Sequence, residues 1–383
     1  MRPSVRRPMP WIVAAAVVVA ASVALAVSAF TGSGGSAAPL IKASAPAAVT
    51  HQYTKPFIFG IDYADELPVD TAAELSAGLA DAGTVGAGWI RVDLAWYRIE
   101  PSPGAWDWSS FDRTEAAAKR DGLKILVILD QPPAWARKSS CATNLWCPPA
   151  SDAAFAAFAA KAVQRYPSSV VAGWEVWNEE NLTAYWPGGP NPTAYTALLS
   201  ATAAAIRATQ PQAEILLGGL APATSDGVAL SPVSFLTDVA ERGGLSDVSA
   251  VGYHLYTYPT MPDPADVPQA IGTGSGSLAA VLDQYGATSM PIWITESGAA
   301  VAAAAKDPTA AQPVTRQQEK DQATYAADLV RTATADPHVK ALFWFSDIDL
   351  PRQGLYYGLR RANGTDRPSL SAFEQAIAAY EAA

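Results

Sequence analysis

The chain has 383 residues, 50% of them hydrophobic and 16% charged, with a formal net charge of −10. A folded part of about 330 residues at this apolar content fills one large barrel or two ordinary domains. The negative balance repels nucleic acid and anionic lipid, which argues against both as partners and leaves a neutral ligand open.

The N-terminus reads as a targeting segment. Arg2, Arg6 and Arg7 precede an apolar run at 11–30, WIVAAAVVVAASVALAVSAF. Basic residues followed by an apolar stretch make an export signal. Two readings of residues 1–30 stand: a signal peptide cleaved near Ala29, or an uncleaved anchor with its arginines in the cytoplasm. Either exports the remainder to the outside or to the outer face of the membrane, and touches the membrane only through this segment. Residues 31–55 are rich in Gly, Ser, Ala and Pro and cannot bury a core, so they read as a linker. Residues 56–383 are then the folded domain, with a monomer as the expectation.

From there short β-rich runs alternate with Ala-rich helical stretches. The strand candidates in chain order are FIFGID (57–62), WIRVDL (89–94), KILVILD (124–130) and VVAGWEVWN (170–178). EILLGGL (214–220), SAVGYHLY (249–256), PIWITE (291–296) and ALFWFS (341–346) complete the set. Most are continuous apolar runs, as parallel strands covered by helices require. Helical spacing predicts helices over 71–82, 111–121, 152–166, 192–209, 232–242, 277–285, 316–335 and from 370 to the end. Asp70, Ser151, Asn191, Ser231 and Ser369 sit where N-caps are wanted. Eight strands alternating with eight helices is the pattern of a (β/α)8 TIM barrel. A doubly wound sheet would carry a glycine-rich phosphate turn after its first strand, and FGIDYADELP has none.

Catalysis in such a barrel sits at the C-terminal strand ends. Glu179 and Glu296 each close an apolar strand, the fourth and the seventh. Two carboxylates meeting across the barrel mouth suit glycoside hydrolysis, by retention or inversion according to their separation. Arg91 and Tyr256 are placed to keep a nucleophilic carboxylate ionised, while apolar walls keep an acid protonated. Asn178 is placed to bond a sugar hydroxyl. Trp135 and Trp344 are candidate platforms for a sugar ring, Trp344 because it lies at a strand end. Three histidines, His51, His254 and His338, are too few for a His-based metal site, and no G-x-S-x-G turn is present. Cys141 and Cys147 are the only cysteines, and outside the cell a lone close pair predicts a small disulfide loop.

The motifs W-x-x-W-N-E (174–179) and W-I-T-E-S-G (293–298) resemble the two catalytic motifs of glycoside hydrolase clan A. GWIRVDLAWYRIEPSPGAWDW (88–108) and LKILVILDQPPAWA (123–136) are similar to family 39 and its exopolysaccharide-cleaving bacterial relatives, with family 5 the second choice. The resemblance spans about residues 56–380 and implies a (β/α)8 barrel that hydrolyses a carbohydrate without a cofactor. It implies Glu179 as acid/base, Glu296 as nucleophile, and Asn178 as partner of the sugar 2-hydroxyl. It further implies Arg91 in support of the nucleophile, His254 and Tyr256 as the H-x-Y of strand six, and Trp344 beneath the reacting sugar. Two departures are visible. The chain ends one helix past the last strand, without the accessory β-sandwich of family 39 xylosidases. The third strand ends in Asp-Gln-Pro-Pro, where family 5 often has His. Two alternatives stand beside hydrolysis: a non-catalytic cell-surface barrel that binds glycan without cleaving it, and a transglycosylase that uses the same residues.

Overall fold

The structure is a computed structural model that describes residues 57–256, 271–272, 276–302 and 314–383. The readings of residues 1–30 and 31–55 fall outside the described residues. Among those described, no helix is long and apolar enough to cross a membrane.

The strands are β1 (Ile58–Asp62), β2 (Trp89–Ala95), β3 (Lys124–Asp130), β4 (Val171–Asn178), β5 (Glu214–Leu220), β6 (Ala250–Leu255), β7 (Ile292–Ser297) and β8 (Val339–Phe345). Each pairs in parallel with the next, and β8 closes on β1 through Ile58↔Ala341 to Asp62↔Phe345. The expected barrel is therefore present. The helices are α1 (Ala72–Thr84), α2 (Trp96–Ile99), α3 (Ser109–Arg120), α4 (Asp152–Arg165), α5 (Pro192–Thr209), α6 (Pro232–Glu241), α7 (Leu278–Gln284), α8 (Arg316–Ala335) and α9 (Pro368–Ala382). The single turn α2 follows β2 directly and went unread, being too short to show a period.

The strand period of two sorts the side chains into two layers. Leu126, Leu216, Ala250, Trp293, Ala341 and Phe343 fill the barrel interior. Their strand neighbours, among them Ile125, Val127, Trp174, Ile215 and Leu342, face the helices in the larger core. Helix starts are fixed locally. Ser151, Asn191, Ser231 and Ser277 each accept the N–H of the residue three on, and Thr71 and Thr315 form reciprocal boxes with Glu74 and Gln318. Two expected caps are corrected. Asp70 ends a 3-10 turn and Thr71 caps α1. The last helix starts at Pro368, whose fixed φ suits a first helical position, and buried Ser369 instead donates to Gln322 Oε1 at 2.7 Å.

Candidate active site

The inward faces of β1, β2, β4, β6 and β7 deliver one connected polar group to the barrel mouth. Its centre is Arg91, 1% exposed. A guanidinium has five N–H donors in a fixed fork, and five acceptors surround it. Nε donates to Glu175 Oε2 at 2.7 Å. Nη1 donates to Asp62 Oδ2 at 2.9 Å and Glu296 Oε2 at 3.3 Å. Nη2 donates to Asn178 Oδ1 at 2.8 Å and faces His254 Nε2 at 3.4 Å. A buried cation without such partners would be very costly, and here every donor is met.

That contact also orients His254. Arginine only donates, so Nε2 of the fully buried imidazole accepts, and the ring proton lies on Nδ1. Burial, the main cause, holds its pKa below the ordinary value, opposed by Glu296, and the ring is neutral. Nδ1 then donates to Glu179 Oε1 at 2.8 Å, with Glu296 Oε2 at 3.4 Å. Thus one imidazole nitrogen lies between the two carboxylates. The ring fits only because β5 carries Gly219: a Cβ there would stand 2.1 Å from His254 Nε2.

Glu179 is held by shaped backbone. At the end of β4 Trp177 has φ 75°, and Glu179, just past it, φ 51°. These left-handed conformations cost about 1–3 kcal/mol each outside glycine and gather at functional sites. The first turns Trp177 out to the helix-facing core, where Nε1 donates to Tyr185 O at 2.9 Å. The inward step thereby passes to Asn178, and Glu179 reaches the mouth. Glu180 goes the other way, fully buried beside α5, where its Oε2 occupies the space that a Cβ on Gly218 would need, 2.4 Å away.

Burial dominates the electrostatics. It pushes Glu179 up to about 7, against the lowering effects of Arg91 and a hydrogen bond from Tyr185. Glu296 is likewise raised to about 7 by burial, with His254 and Arg91 pulling it down and Asp62 and Glu179 pushing it up. Arg91 lowers Glu296 as expected, but desolvation exceeds that attraction and the net shift is upward. Tyr256 donates to Glu296 Oε1 at 2.8 Å.

Of the sequence candidates, Arg91, Asn178, Glu179, His254, Tyr256 and Glu296 converge. Trp344 does not. It faces away from the mouth, fully buried between Tyr325 of α8 and Phe373 of α9, and Nε1 donates to Tyr357 O at 3.2 Å. The next residue, Phe345, takes the mouth side of β8 and packs with Tyr357, which meets Tyr256 edge-on. Ala341 and Phe343 fill the barrel interior, so the alternation of β8 puts Phe345 on the inward side and Trp344 with Leu342 on the helix side. Trp135 stands on the rim, 41% exposed, with Nε1 donating to Glu100 O at 3.1 Å and its ring edge-on to Trp96. Cys141 and Cys147 are bonded in the loop between β3 and α4. Sequence reasoning missed Glu175 and Tyr185 as members. Glu175 had a signal, since an acid at an inward position of an otherwise apolar strand requires a buried cation. Among the described residues no three His, Cys, Asp or Glu side chains form a metal cluster.

Paired carboxylates at the mouth of a closed (β/α)8 barrel define a glycoside hydrolase, and the comparisons agree. Residues 55–346 match the family described as cellulase (glycosyl hydrolase family 5), and the chain belongs to it. No curated protein matches. Among solved structures, the chain is similar to a family 39 glycoside hydrolase from the gut symbiont Bacteroides cellulosilyticus WH2, with TM-score 0.61 and 20% identity over 84% of this chain and 63% of that one. A GH39 β-xylosidase from Caulobacter crescentus gives TM-score 0.62 and 20% identity over 84% of this chain and 71% of that one. An exo-β-1,4-mannosidase from Opitutaceae bacterium strain TAV5 gives 0.58 and 18%, over 85% and 59%. The chain therefore spans less than two thirds of the first and third of these neighbours, and at such identities they share its fold.

Proposed function

We propose that the protein hydrolyses β-glycosidic bonds of a poly- or oligosaccharide with retention of configuration, Glu296 acting as nucleophile and Glu179 as acid/base. The reading is carried by the single nitrogen of His254 that reaches both carboxylates, at 2.8 and 3.4 Å. Their facing oxygens are then no farther apart than those two reaches laid end to end, about 6 Å, which lies below the ~6.5–9.5 Å of inverting enzymes.

Two coupled acids with raised pKa values hold one proton between them near neutral pH. The donors distribute it. Glu296 receives Tyr256 O–H and lies against Arg91, so it is the ionised member. Glu179 takes the His254 N–H on Oε1 and carries the proton on its other oxygen. In the first step a Glu296 oxygen bonds to the anomeric carbon, the glycosidic bond breaks, and Glu179 protonates the leaving oxygen. In the second, Glu179 takes a proton from water, whose oxygen displaces Glu296 and frees the sugar. Asn178, fixed through Oδ1 by Arg91, presents its amide NH2 to the 2-hydroxyl, and Trp135 offers a ring on the rim. The Cys141–Cys147 bond supports export of the domain to an oxidising compartment.

Glu296→Gln is expected to abolish turnover with the circular dichroism spectrum unchanged. A 2-deoxy-2-fluoro β-glycoside is expected to label Glu296 in the intact protein, read by peptide mass. Near-wild-type turnover in the variant would remove the nucleophile assignment.

A further inference from the structure

One pleat above Arg91 on β2 stands Asp93, and on the neighbouring strand β3 the last inward position is Asp130. Asp93 is 7% exposed and Asp130 fully buried. Neither oxygen of Asp130 meets a hydrogen-bond donor, nor does Oε1 of buried Gln131 meet a partner. The Gln131 amide tempers Asp130, but Nε2 is directed at Asp93 Oδ2, 3.3 Å away. Gln131 sits at φ 49°, a strained conformation that places it at the strand end beside this pair.

Among the described residues no cation makes an ion pair with these acids, although the charge of Arg91 lowers the pKa of both. Arg91 has all its donors committed below them, and Arg98 is paired with Asp65 at 3.0 Å. Asp65 itself adds a negative charge that raises both. Burial above all, then repulsion from Asp130 on Asp93 and from Asp65 on both, holds the two carboxyls well above the usual range, so they keep their protons until a cation arrives. A fold gains nothing from two such groups, because an isosteric apolar pair would cost less. No three-ligand metal cluster is formed among the described residues. A glycan of neutral hydroxyls would bring donors without charge, whereas an ammonium brings three N–H donors and the charge that is lacking.

We infer that Asp93, backed by Asp130 and flanked by Asp65, forms a carboxyl wall of the sugar site that ionises on taking a glycan residue bearing a free amine. The inference rests on the glycosidase site proposed above and names its substrate class. Asp93 makes the contact, and Asp130 acts through it as a positioning charge.

The test uses full-length protein carrying Glu296→Gln and isothermal calorimetry at low salt. Three ligands of equal length share a β-1,4 glucan backbone and differ at C2: a chitosan oligosaccharide, its fully N-acetylated form, and a cello-oligosaccharide. The chitosan oligosaccharide is expected to bind about tenfold tighter than the other two, and more weakly as salt rises. Asp93→Asn is expected to bring it within about twofold of the cello-oligosaccharide, and Asp130→Asn to reduce the preference. Equal or weaker binding of the chitosan oligosaccharide would overturn the inference. So would its failure to bind the folded protein, or a preference that survives Asp93→Asn. Should Asp93→Asn fail to fold by circular dichroism, Asp130→Asn and Asp65→Asn decide by the same criterion. Residual turnover in Glu296→Gln would instead count against the nucleophile assignment and leave the binding comparison intact.

Discussion

At the residue scale, function is written in how one histidine is protonated. Arg91 can only donate, so it fixes the accepting nitrogen of His254 and turns the N–H to Glu179. Removal of the acid predicts a pH signature. In the wild type, kcat/KM toward a natural glycan should fall on the alkaline side as the proton held near pH 7 is lost from the carboxylate pair. In Glu179→Ala, an aryl glycoside with an activated leaving group needs no protonation. Its kcat/KM should rise as Glu296 ionises and then stay level above pH 7, measured from pH 4.5 to 9. A descending alkaline limb in the variant would take Glu179 out of the acid role. The glutamates themselves were legible in the sequence, because each ends an apolar strand. Their pKa values were not, since burial outweighs the Arg91 charge only once the surrounding walls are in place.

At the scale of the element, the end of β4 splits three polar residues among different surroundings. Asn178 and Glu179 go to the mouth, and Glu180 goes into the core against Tyr195. The Tyr195 hydroxyl donates to Val176 O and accepts Gly218 N–H, both at 2.9 Å, and neither Glu180 oxygen has a partner at good geometry. Burial pushes Glu180 up to about 8 from an ordinary 4.5. A carboxyl with a raised folded-state pKa contributes fully below its unfolded value, and that contribution is lost as pH climbs through the folded one. Stability should therefore decline between about pH 4.5 and 8. Glu180→Gln should melt at least about 2 °C above the wild type at pH 8 and close to it at pH 4.5. Equal melting shifts at both pH values would exclude this titration as the cause. The strand β8 teaches a related lesson. Its apolar run ALFWFS names the element, but run composition alone does not give its parity. Packing of Ala341 and Phe343 in the interior sends Trp344 to the helices and Phe345 to the mouth.

At the scale of the whole molecule, the barrel is closed by its own hydrogen bonds, and its rim is stapled where the β3–α4 loop is long. The Cys141–Cys147 loop is short, with a separation of 6, so reduction should remove only about 2 kcal/mol of chain-entropy stabilisation. Reduction, or Cys141→Ala with Cys147→Ala, should increase proteolytic nicking within 136–150 while leaving the global melting temperature within about 3 °C. A collapse of the fold would show that the staple carries more than its loop. The sequence by itself determined the eight-strand count, the helix starts at Ser151, Asn191 and Ser231, and the two strand-closing glutamates. Those follow from apolar periodicity and local backbone capping, which act within a few residues. Only the tertiary structure decided that Glu175 and Asp62 hold Arg91, that Gly219 makes room for His254, and that Trp344 is core. Each of these depends on atoms brought together by barrel closure from strands far apart in the chain, where inward parity, desolvation and a missing Cβ are set by neighbours the local sequence does not contain.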